Sequence, residues 1–241
     1  MDTFKMQVPD GVEDCLPAEC YIKKRMEAAL RRRFVLSGYD EVETPTYEYL
    51  DVFQSGVGAY MQESMIKFVG PSGRILVLRP DLTVPIARLV ATKFPAGGIK
   101  RLFYIQNSYA AAEPSIGKAG EFTQAGIELI GDASCAADAE VIALAVRALQ
   151  TAGLRSFTID IGQVAYFKAL VSGLELDEAK TDALRRAVDS KNVVEIEAMT
   201  ARLGITGRRK EQLLALPNLF GGAEVFDKAL ALSDEEGCRK A

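Results

Sequence analysis

Between residues 18 and 37 the apolar positions Tyr21, Ile22, Met26, Leu30 and Phe34 recur at the spacing of one helix face. The spacing predicts a helix from about Ala18 to Ser37, with Gly38 placed to stop it. Pro9, Gly11 and Pro17 ahead of it predict an irregular entry segment. GYDEVETPTYEYLDVF (38–53) predicts a short strand broken by Pro45, and a proline there belongs at an edge or where another surface docks. RILVL (74–78) predicts a strand, after which PDLTVPIARLVAT (80–92) opens a helix. RLFYIQNSY (101–109) and EFTQAGIELIG (121–131) predict an antiparallel hairpin across a glycine-containing loop.

Ser134 is placed to cap a helix that runs to about Gln150, apolar on nearly every side and therefore expected to be buried. FTIDIG (157–162) predicts one more strand. From about Gln163 the texture changes to four or five short amphipathic helical segments with breaks near Gly173, Gly204 and Gly221-Gly222. The expected organisation is a core over residues 1–162 and a small all-α unit over 163–241. Antiparallel strands flanked by helices, followed by a helical block, make the expected class α+β.

Composition narrows the function. With 241 residues, 49% of them hydrophobic, the chain can bury a substantial core. A formal charge of -4 argues against a broad nucleic-acid-binding surface. The local basic run Lys23, Lys24, Arg25, Arg31, Arg32, Arg33 falls on the first predicted helix and reads as its solvated face. No apolar run approaches the roughly 20 residues of a membrane span, and the N-terminal stretch lacks the apolar centre of an export signal. Cys15, Cys20, Cys135 and Cys238 show no C-x-x-C spacing, so reduced thiols in a cytoplasmic protein are expected rather than zinc or a disulfide framework. There is no histidine at all. That excludes His-based acid-base catalysis, His-activated nucleophiles and His-liganded metals, and leaves carboxylates, lysines and bound nucleotide for any chemistry. No metal and no cofactor is expected.

Alternation on the strand 121–131 puts Phe122, Gln124, Gly126 and Glu128 on one face and Thr123, Ala125, Ile127 and Leu129 on the other. A Gln and a Glu flanking a Gly form a polar notch with room over the glycine for a ligand. The plainer reading is a solvated strand face, with Asp81 and Thr83 no more than a helix cap. Spacing alone leaves both open.

Several segments resemble histidyl-tRNA synthetases. PDGVEDCLPAE (9–19) resembles their opening at Pro9, Gly11, Asp14, Leu16, Pro17 and Glu19. Residues 38–53 resemble class II synthetase motif 1, with Pro45 as the dimer-interface proline in a segment whose aromatics Tyr39, Tyr47, Tyr49 and Phe53 are expected to be available at the surface. LRPDLTVPIAR (78–88) is similar to the amino-acid-binding turn, and residues 101–131 align without a gap with motif 2 and the strand after it. The resemblance implies a class II synthetase-like antiparallel sheet flanked by helices. It also implies a histidine site: Asp81, Thr83 and Gln124 toward the α-amino group, Glu128 toward the imidazole N–H.

Two departures matter. The family's motif 2 strand ends Phe-Arg-x-Glu, where this chain has Tyr109, Ala110, Ala111, Ala112. The arginine stabilises charge on the phosphorus during adenylate formation, and losing one such donor costs about two to three orders of magnitude in rate. The family pattern also continues into further strands and motif 3, which do not occur before Ala241. The chain is therefore expected to be a truncated stretch or a shortened paralogue. This combination resembles the regulatory subunits of ATP phosphoribosyltransferase, non-catalytic paralogues of the synthetases. It implies a short-form catalytic subunit as partner, a homodimer within a hetero-oligomer, L-histidine as ligand, and no tRNA or membrane. The alternatives are a divergent synthetase and a structural dimerisation module with a dead pocket.

Overall fold

Helix α1 (Pro17–Leu36) starts on Pro17, whose missing N–H is one the helix would leave unpaired anyway. The proline expected in the entry segment is thus the first helical residue. In this computed structural model the described residues are 7–54, 65–111, 120–174 and 176–241. They fall into two compact units, Met1–Thr158 and Ile159–Ala241.

In the first unit the C-terminal half of α1 supplies core. Phe34 packs on Phe103 with ring centroids 5.3 Å apart, joined by Tyr39 and Leu144. Tyr21, Ile22 and Met26, on the same helical period, are exposed. Segment 38–53 gives two strands separated around Pro45, and they enter different sheets. β1 (Asp40–Glu41) pairs in parallel with β5 (Lys100–Tyr109), which pairs antiparallel with β6 (Glu121–Ile130). β2 (Tyr47–Tyr49) pairs with β4 (Ile75–Leu78), which also pairs with β3 (Lys67–Val69), all antiparallel. A short helix α2 (Asp51–Gln54) follows β2, and α3 (Thr83–Lys93) follows β4. Leu82, Ile86, Leu102 and Tyr104 form the core beneath α3, and Arg88 of α3 holds the buried Glu48 of β2 at 2.5 and 2.9 Å. That anchorage sets where the start of α3 meets the hairpin.

Helix α4 (Cys135–Thr151) is capped as expected, Ser134 Oγ accepting the Ala137 N–H at 3.2 Å. It is not buried on every side: only Ala137 and Leu144 are fully buried, because one face alone packs on α1 and the sheet. Tyr39 O–H and the Arg101 guanidinium both reach Glu140 on α4, at 2.9 Å and twice at 2.8 Å. These bonds, Arg101's first, hold the Glu140 carboxyl down at about 2, while burial pushes Tyr39 up to about 12. A depressed folded value means this tie is present above the ordinary glutamate range and is lost as pH falls toward 2.

Two further expectations are corrected. FTIDIG (157–162) forms no strand: its pattern alternates, but a strand needs a ladder partner, and none pairs with it among the described residues. Tyr39 and Phe53 are core residues, 2% and 0% exposed, rather than surface aromatics.

The second unit is all helical: α5 (Val164–Val171), α6 (Glu178–Asp189), α7 (Val193–Arg202), α8 (Gly207–Ala215) with a 3-10 turn (Leu216–Asn218), α9 (Glu224–Leu232) and α10 (Glu236–Lys240). Gln163, Asp177 and Asn192 cap the first three through their side chains. Phe167, Val171, Leu184, Ala187, Ile196, Ile205 and Leu213 make the core. These are six helices among the described residues, not four or five. The break between α6 and α7 carries no glycine, and there Lys191 takes the left-handed conformation at φ 54°.

Candidate functional site

The β5–β6 register places Tyr104 opposite Gly126, Gln106 opposite Gln124, Leu102 opposite Glu128 and Ser108 opposite Phe122. Directly opposed residues share a sheet face, so all of these side chains project to one side. Leu102 and Tyr104 pack against Leu82 and Ile86, which makes that side the one under α3. Thr123 lies on the other face, donating to Asn107 Oδ1 at 2.8 Å, and Ile127 packs there on the core of Phe34, Phe103 and Leu144.

Four sequence-predicted residues are brought together on the α3 side. Asp81 Oδ1 accepts the Thr83 backbone N–H at 2.7 Å, and its Oδ2 accepts from Gln124 Nε2 at 3.3 Å. Ser108, fully buried, donates from Oγ to Gln124 Oε1 at 2.9 Å and so orients the amide. The Thr83 side chain acts on both the Glu128 carboxylate and the Tyr104 hydroxyl. Asp81 therefore does serve the start of α3, but with one oxygen only; the other belongs to the cluster. Gln124 and Glu128 are half-buried rather than a solvated face.

Burial pushes the Glu128 carboxyl above its usual range and the Asp81 charge adds to this, with the Thr83 bond opposing. The Tyr104 phenol is pushed up in turn by burial and by the charges of Asp81 and Glu128. Among the described residues no Lys or Arg pairs with either carboxylate. Two neighbouring acceptors of this kind are chemically suited to an ammonium and to a second, N–H-bearing end of one small ligand.

The space over Gly126 is not open, contrary to expectation. A Cβ there would lie inside van der Waals contact of Tyr104 Oη and Cζ, and 2.9 Å from its Cε1. Glycine is present because the tyrosine ring crosses the strand at that point. Any ligand is thus flanked by a phenol.

Ala110 follows β5, its N–H donating to the Gly120 carbonyl at 3.0 Å; it and Ala111 offer only methyl groups. Ala112 lies outside the described residues. Pro45 is exposed between β1 and β2, beside Tyr47, Tyr49 and Phe68, which are also exposed; the Tyr47 and Phe68 rings meet edge-on at 5.9 Å.

Sequence reasoning missed Arg79. It is 4% exposed and is bound by carbonyls rather than a carboxylate: Nη1 donates to Thr44 O at 2.5 Å and Pro45 O at 3.0 Å, Nε to Asn107 O at 2.8 Å. Burial lowers its pKa. Gln106 grips Thr44 as well, through its backbone N–H and O at 3.2 and 3.3 Å. Together they tie the Pro45 segment to β5 at the edge of the site. No charge partner in the sequence signals this.

The family described as histidyl-tRNA synthetase matches residues 11–241. A relative in Acetivibrio thermocellus named ATP phosphoribosyltransferase regulatory subunit is 45% identical over 95% of this chain and 55% of its own length. A relative of the same name in Clostridium acetobutylicum is 41% identical over 98% of this chain and 59% of its own length. The chain thus spans somewhat more than half the length of these curated relatives. Among solved structures, an ATP phosphoribosyltransferase regulatory subunit/histidyl-tRNA synthetase from Bacillus halodurans superposes with a TM-score of 0.86 at 38% identity, covering 98% of this chain and 62% of that one. A histidyl-tRNA synthetase from a Nostoc species gives 0.70 at 18% identity, covering 95% and 52%, and shares the fold.

Proposed function

Because the chain belongs to the histidyl-tRNA synthetase family, we propose that it acts as a regulatory subunit of ATP phosphoribosyltransferase, without catalysis of its own, in the first step of histidine biosynthesis. The observation that carries this reading is a split site. The acceptor cluster of Asp81, Thr83, Gln124 and Glu128 is assembled, while Ala110 stands where phosphate chemistry would need a guanidinium. Such a site binds an amino acid and cannot activate it. The names of the relatives support the same conclusion.

In this reading L-histidine is the ligand, its ammonium between Asp81 and Gln124 and its imidazole N–H on Glu128. The partner is a short-form transferase catalytic subunit, whose activity the chain supports and histidine restrains. The purified chain is expected to give no histidine-dependent ATP–pyrophosphate exchange, and Ala110→Arg is expected not to restore it. Exchange above background that disappears in Asp81→Ala would overturn the non-catalytic reading in favour of a divergent synthetase.

The same reading includes a symmetric homodimer around Pro45, with the exposed face of Tyr47, Tyr49 and Phe68 as its apolar centre. Light scattering is expected to give twice the chain mass at micromolar concentration. A monomer there would contradict the dimer.

A further inference from the structure

Cys15 and Cys20 have no recognisable spacing in the sequence, but the start of α1 brings them together. Leu16 is the cap residue and Pro17 the first helical residue, so Cys15 precedes the cap and Cys20 is the fourth residue of the helix. Side chains at these two positions face each other across a helix start, where an apolar pair commonly packs. The local backbone is well tied: Cys20 N–H donates to Leu16 O at 2.8 Å, and Leu16 N–H to Glu19 Oε2 at 3.2 Å. Across that helix start the Cys20 thiol acts on the Cys15 thiol. Cys15 is exposed and Cys20 half-buried. The other two thiols are differently placed: Cys135 is exposed at the start of α4, and Cys238 is buried in the second unit.

We propose that Cys15 and Cys20 are a redox-active pair that closes to an intramolecular disulfide by exchange with a small disulfide. The Cys15 thiolate, which solvent reaches, attacks one sulfur of the small disulfide RSSR and expels RS⁻. The Cys20 thiolate then attacks the Cys15 sulfur of that mixed disulfide and expels the second RS⁻. The two protein protons go to the two leaving thiolates, so one dithiol and one RSSR become one protein disulfide and two RSH.

The geometry favours the second step. Cys20 is fixed on the helix, whereas Cys15 ends a stretch with no regular structure from residue 12 onward. It can therefore move toward Cys20 to form the S–S bond without disturbing α1. Burial, then Cys20 and Glu19, push the Cys15 thiol up against the opposing charge of Lys23. The pair accordingly rests as a dithiol until an oxidant arrives. The closed form would stiffen a segment whose Gly11 carbonyl accepts the Gly120 N–H, one residue before β6 begins.

The experiment exposes the folded chain to oxidised glutathione, then unfolds it in acid and maps the tryptic peptide of residues 6–23. The expected result is a peptide lighter by two hydrogens, with Cys135 independent of it and Cys135→Ser without effect. Cys20→Ser is expected to stop at a Cys15–glutathione adduct, and Cys15→Ser to prevent closure. A parent chain that keeps the adduct on Cys15 with Cys20 free would overturn the proposal, as would Cys15 linked between two copies.

Discussion

Replacing Arg79 by methionine is expected to destabilise the first unit by about 2–4 kcal/mol, read as a lower urea midpoint at unchanged slope. The guanidinium donates to the carbonyls of Thr44, Pro45 and Asn107 in a place that water reaches poorly. Methionine fills much of the volume but donates nothing, so carbonyls of the Pro45 segment and β5 lose a charged donor. Relief of the guanidinium's own burial offsets part of the loss. Lysine is expected to rescue little, since one ammonium cannot reproduce the planar fork that spans both segments. Arg74→Met is the matched control: that side chain is exposed, and its bond to Asp51 at 2.9 Å is a surface pair worth about 0–1 kcal/mol. Equal midpoints for the parent and Arg79→Met would show that the carbonyl ties are incidental.

Gly126→Ala is expected to cost about 1–3 kcal/mol through overpacking and, with it, most of the ligand affinity of the site. The added methyl meets the far end of the Tyr104 ring, and that ring is only 3% exposed and packed with Leu82, Ile86 and Leu102. It cannot swing aside without leaving its core or pulling its hydroxyl away from Thr83. Tyr104→Phe should not relieve the clash, because ring carbons as well as the hydroxyl lie too close. Tyr104→Leu combined with Gly126→Ala should recover part of the stability, a non-additivity that a double-mutant cycle reads directly. Additive losses would mean the two residues do not share one space.

The hairpin was legible in the sequence because its evidence is local. Alternation in 101–109 and 121–131 sets two faces, and ten directly opposed pairs from Lys100↔Ile130 to Tyr109↔Glu121 keep them. Ser134 as a cap was legible for the same reason: a short polar side chain precedes a helical run and reaches the N–H three residues on. What was not legible depends on partners distant in the chain. Gly126 looks like free space until the register brings Tyr104 over it. FTIDIG has a strand's pattern but no neighbour to bond. Tyr39 and Phe53 are aromatic in a segment that also carries the exposed Tyr47 and Tyr49, and only packing separates the two kinds. The Cys15–Cys20 approach follows from Leu16 being the cap, which shifts the expected helix start by one residue.

The central claim is that the acceptor cluster on the α3 side of β6 binds histidine. Calorimetric titration of L-histidine into the parent chain, Glu128→Ala and Thr123→Ala tests it most directly. Removing one partner of a charge-assisted bond costs about 1.5–3 kcal/mol, so Glu128→Ala should bind roughly tenfold more weakly or worse. Thr123 bonds Asn107 on the opposite face, and its alanine variant should bind like the parent. Saturable binding by the parent with that asymmetry is the predicted result. No binding by the parent, or equal losses in the two variants, would contradict it.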